Sequence, residues 1–206
     1  MTDSAFKRWS DFLRNEEIED TPTTNRFIAR FRLASKFTGI NADGYSEKTL
    51  RAYNSLMSVF LSHTAFESLV DSITENEARD DQKLRLNFEV DLHNHPFDDL
   101  QIAEDIRSNE KLMRILIEYA KVTERNSIQM EALMSFYIGE ISGAHLNAVA
   151  KQIRHLVAHG HMTAYGSDAV NTNNEQAFFS LAELIRNETY ALFEEYVSKL
   201  EAKYST

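Results

Sequence analysis

The stretch KQIRHLVAHGH, Lys151 to His161, closes an apolar helical pattern with one arginine and three histidines. Working back from it, Ala148, Val149, Ile153, Leu156 and Val157 recur at the spacing of a single helix face. Gly160 is a natural stop, because glycine enters the left-handed conformation that ends helices at little steric cost. The spacing therefore predicts an amphipathic helix ending near Ala158 to Gly160, with its basic side chains where a rigid element meets a loop. Such junctions suit chemistry, since the helix fixes geometry and the loop admits a substrate.

The charge around this stretch differs from that of the chain. From Ile141 to Ser167 there is no Asp or Glu, while Lys151, Arg154, His145, His155, His159 and His161 all fall inside. The whole chain carries a formal net charge of -10. A local cationic window on an acidic body favours an anionic ligand such as phosphate. The acidic balance argues against non-specific binding of duplex DNA, which needs many phosphate contacts.

The 206 residues suffice for one sizeable core. With only 6 Gly and 2 Pro, the chain lacks the turn residues that barrels, sandwiches and doubly wound sheets require. There is no cysteine, which excludes thiol catalysis, disulfides and thiolate metal sites and suits a reducing cytoplasm. No leader pattern or membrane-length apolar run is visible, so the expected setting is soluble and cytoplasmic, away from membranes.

Along the chain, Phe6, Trp9, Phe12 and Leu13 mark a short amphipathic helix over Asp3 to Asn15. Thr21-Pro22 reads as an N-cap followed by a first-turn proline, opening a segment with Phe27, Phe31 and Leu33. Residues 37–45 hold Gly39 and Gly44 and read as a loop, so residues 1–45 are expected to form an N-terminal helical extension or lid. Ser46 caps a long helix reaching about Thr74, where the charged run ENEARDDQK ends it. LRLNFEVDL, Leu84 to Leu92, alternates and is either a short strand or an extended loop. Helix restarts are expected at Pro96, with Asp98 and Asp99 at its positive end, and at Ser108. Residues 127–158 read as helix interrupted near Gly139 to Gly143, and a last helix runs from Glu175 to about Lys203. Its aromatics Phe178, Phe179, Phe193 and Tyr196 suit a core or a dimer interface. The fold class is thus all-α, a helical bundle over residues 46–206 with at most one short strand pair.

Arg154, a four-residue spacer and His159, at the end of an apolar helix and followed by a loop and one more long amphipathic helix, resemble the HEPN (higher eukaryotes and prokaryotes nucleotide-binding) domain family. His155 fills the polar position that often follows the motif arginine, and FLSHTAFESLVDSI, with Glu67 among apolar residues, resembles the family's first core helix. The resemblance covers roughly Ser46 to Lys203. It implies a metal-independent endoribonuclease acting on single-stranded RNA, in which the 2′-hydroxyl attacks the neighbouring phosphate to leave a cyclic phosphate and a 5′-hydroxyl end. It further implies a homodimer with motifs from both copies lining one cleft, and a toxin or defence effector held by an antitoxin partner. In that scheme Arg154 stabilises phosphate and His159 is general acid or base, with His161 as its alternative. His155 and Glu67 are supporting residues, Lys151 binds phosphate, and no cofactor or metal is required.

The residue types fit that chemistry. Histidine moves protons near neutral pH, and an always-charged guanidinium grips phosphate through a forked contact. Helix geometry complicates the pairing, because Arg154 and His159 lie roughly 140° apart on an unbroken helix while Arg154 and His161 nearly align. The alternatives are a non-catalytic HEPN-like module that binds a nucleotide or a protein partner, and a metal site built on His155 and His159 with Glu67 or Glu140. DLHNHP, Asp91 to Pro96, superficially resembles a hydrolase metal strand and is better read as a polar loop.

Overall fold

Local chemistry sets where the helices begin and end. In the computed structural model, which describes residues 4–78, 83–86, 92–123, 127–140, 143–160 and 172–205, Thr21 Oγ1 accepts a hydrogen bond from the Thr24 N–H at 3.2 Å. Pro22 follows as the first residue of α2 (Pro22–Lys36), behind α1 (Ser4–Asn15). Ser46 Oγ likewise caps the Thr49 N–H at 3.2 Å and opens α3 (Glu47–Ala78). A short 3-10 turn at Leu92–Asn94 leads to α4 (Leu100–Arg107), then α5 (Glu110–Thr123), α6 (Ser127–Ile138), α7 (Gly143–Ala158) and α8 (Thr172–Tyr204). The fold is an all-α bundle, with no strand among the described residues.

Three boundaries differ from the sequence-based expectation. α3 continues past Thr74 through Glu75 to Ala78, four residues into the charged run, where Asn76 is fully buried. The restart at Pro96 is displaced to Leu100. Phe97 is instead fully buried from a non-helical segment, and Asp99 caps the Ile102 N–H at 2.9 Å. α8 begins at Thr172, one turn before Glu175. Leu84 to Leu86 are not strand, and residues 87–91 of that expectation lie outside the described residues. Leu33 is exposed and does not join the apolar face of α2.

The two long helices, α3 and α8, are each roughly 50 Å long and form the spine. α2 and α7 pack on α3, α1 and α4 on α8, and α6 on α7. An element surrounded in this way cannot be apolar on one stripe alone. α3 accordingly buries Leu56, Val59, Phe66, Leu69 and Ile73, together with Ser55, Ser62, Ser68 and Ser72 around the rest of its girth. Serines let neighbouring helices approach closely, and three return their hydroxyls to their own helix: Ser55 to Ala52 O, Ser58 to Asn54 O and Ser68 to Thr64 O, at 2.8–2.9 Å.

The α1 and α2 helices share this core. Phe6, Trp9, Phe27 and Phe31 belong to one continuous cluster of buried side chains with Phe193 and Tyr196 of α8. Phe178 is buried with them and Phe179 is half-buried. No helix among the described residues is long and apolar enough to cross a membrane.

Candidate functional site

α7 ends where its sequence says it should. Gly160 takes φ +69 and its N–H bonds Val157 O at 3.1 Å, the left-handed glycine stop. The His159 N–H still bonds His155 O at 3.1 Å, so the helical path is unbroken to that residue. Arg154 and His159 therefore diverge around the helix, as the 3.6-residue repeat requires.

Arg154 turns toward α3. Its Nη2 donates to Glu67 Oε1 at 2.8 Å and to His155 Nε2 at 3.1 Å. A guanidinium only donates, so His155 Nε2 is an acceptor and a neutral His155 carries its proton on Nδ1. His155 and His159, four residues apart, share one helix face, and His159 is exposed. Through His155 the arginine is thus joined to the strip of α7 that carries His159. The Arg154 side chain is 23% exposed and its Nε is buried without a hydrogen-bond partner. His161 lies outside the described residues.

Glu67 sits in a further set of polar groups that sequence reading did not single out. His63, one turn earlier on α3, is 2% exposed, and its Nε2 lies 3.2 Å from Asn147 Oδ1. Asn147 donates its amide to His93 O at 3.3 Å and His95 O at 2.9 Å, which fixes the amide oxygen toward the histidine. His63 must then donate from Nε2, leaving Nδ1 a bare acceptor with no partner, 3.7 Å from Glu67 Oε1. Burial pushes His63 down to about 3, against the pull of Asn147 and with Arg154, Lys151 and His155 adding to the push, so it is neutral. Burial also raises Glu67, and the Arg154 charge and hydrogen bond oppose that rise. Spacing places His63 with Glu67, four apart, and Asn147 with Arg154, seven apart, on one helix face each, but does not tell that the two faces meet.

Between α3, α6 and α7 these groups border an open cleft of about 650 Å³. Glu67, Lys151, His63, His145 and Asn147 line it, and Arg154, His155 and His159 stand outside it. His145 Nδ1 lies 2.6 Å from Glu140 O, so Nδ1 carries the proton and Nε2 is its free ring nitrogen. His95 meets Glu188 at 3.3 Å and helps seat the 92–95 turn against α8. Among the described residues no three or more histidines and carboxylates converge as a metal-holding group.

Compared with known proteins, the chain matches no family model, no curated protein and no solved structure. Its chemistry has to be read from the side chains themselves.

Proposed function

We propose that the protein is a HEPN-like, metal-independent endoribonuclease of single-stranded RNA that works as a homodimer, in the manner of a toxin or defence effector. The observation that carries this reading is the placement of Arg154. It is held at 2.8 Å by a carboxylate of another helix, touches a histidine, and keeps its side chain 23% exposed. A phosphodiester oxygen suits the solvent-facing edge of such a preorganised guanidinium.

In this scheme Arg154 holds the phosphate and gains strength as charge builds on its oxygens. Lys151, three residues earlier on the same face, adds a second cation. The RNA 2′-oxygen forms its bond to phosphorus as the bond to the 5′-oxygen breaks. One His159 accepts the 2′-hydroxyl proton, and the His159 of a second copy protonates the departing 5′-oxygen. A dimer supplies what one copy lacks, since Arg154 and His159 diverge on their helix.

The test is cleavage of end-labelled RNAs in EDTA by wild type and His159→Ala, with mass analysis of the ends. Cyclic phosphate and 5′-hydroxyl products that disappear in the variant are expected. Wild-type inertness on varied RNAs would remove the reading. That divergence of Arg154 and His159 also favours a second one, a non-catalytic nucleotide-binding or protein-interaction module, which predicts binding without turnover.

A further inference from the structure

The cleft beside Arg154 carries more carboxylates than cations. Among the described residues lining it, Glu67, Asp71 and Glu131 supply three carboxylates against the single ammonium of Lys151. His145 has its Nδ1 taken by the Glu140 carbonyl at 2.6 Å, which leaves Nε2 as the other nitrogen of a ring that lines the cleft. The carboxylate of Glu67 has one oxygen engaged by Arg154. With Lys151 engaged by phosphate, the remaining lining matches a neutral group rich in N–H donors.

The geometry points to a base-binding subsite: the cleft between α3, α6 and α7 takes a nucleobase that presents adjacent N–H donors, guanine foremost, while its phosphate stays outside at Arg154. This rests on the reading of Arg154 as a phosphodiester-binding group. Guanine alone among the RNA bases places a ring N–H beside an exocyclic amine, the pair that one carboxylate accepts in a fork. Glu67 is the least exposed of the three carboxylates, and because it also bonds Arg154 it would tie base and phosphate to one side chain. The roughly 650 Å³ is ample for a base with its ribose, and Ala132 and Ala148 leave the walls low.

The experiment is titration of the full chain with GMP, IMP, AMP and UMP, and separately with spermidine, by calorimetry. These ligands have no scissile bond, so the outcome is independent of whether RNA is cleaved. Saturable GMP binding is expected, weakened about tenfold for IMP, which lacks the amine, and lost in Ala132→Phe, which narrows the cleft from α6 and leaves Arg154 and Glu67 themselves unchanged. Equal affinity for all four nucleotides, or GMP binding unchanged in a folded Ala132→Phe, would overturn the subsite. Binding of spermidine with no nucleotide binding would overturn it too, in favour of a cation site. If RNA is cleaved without preference for guanine and the cleft variant cleaves as well as wild type, the subsite fails while the nuclease reading stands.

Discussion

The end of the bundle where α1 and α2 meet α8 and the seam between α3 and α7 are built from opposite materials. At the first, Phe6 and Phe27 each lie 5.1 Å from the Phe193 ring centre, and Trp9 lies 6.1 Å from it at a steep angle. At the second, the helices meet through His63, Asn147, Glu67 and Arg154. Rings bury area with little demand on orientation, whereas each polar group must find a partner or stand at a cost. The rings fill the core, whereas the seam leaves His63 Nδ1 and Arg154 Nε buried and unpaired.

The sharpest way to break this contrast is to remove a ring. Trp9 is 1% exposed and its indole N–H has no partner, so its contribution is packing alone. Trp9→Ala should cost roughly 3–5 kcal/mol in urea unfolding. A loss below about 1 kcal/mol would mean that α1 is an ornament on the bundle.

The seam should instead show itself in pH. His63 in the unfolded chain binds a proton near the ordinary 6.5, while the folded chain refuses it until about 3. Stability is therefore full above 6.5 and falls as pH drops toward 3. Between pH 7 and pH 5 the loss should be about 2 kcal/mol. His63→Gln, whose amide can still donate to Asn147, should flatten that part of the profile. An unchanged slope would show that other groups carry it.

What could be read from sequence follows the range of the interactions. Thr21, Ser46 and Gly160 work on backbone groups within three residues, so their roles were legible as helix signals. The Pro96 start was misplaced because two local rules competed there. Asp99 as a cap prevailed, with Phe97 buried in the core from a non-helical segment. At the site, Arg154 and Glu67 were nameable from an unusual residue on an apolar stripe. Asn147 was not, since its role is to fix a histidine tautomer 84 residues away through carbonyls of a third segment. No pattern on one helix encodes that.

A smaller effect sharpens the local side of the same contrast. Asp99→Ala removes one cap from α4 and should cost about 1 kcal/mol, measured by the same unfolding titration. A change several times larger would mean that the Asp99 carboxylate does more than cap.

The most direct measurement pairs stability and RNA cleavage in one variant, Arg154→Ala. Arg154 is partly solvated and its partner Glu67 can turn to water, so folding should weaken by only about 1 kcal/mol. Cleavage in EDTA should fall by about a hundredfold or more, as expected when a group that stabilises developing charge is lost. Cleavage by the variant at the wild-type rate, or a stability loss rivalling that of Trp9→Ala with no RNA cleaved by the wild type, would mean that the arginine serves the fold and not a phosphodiester.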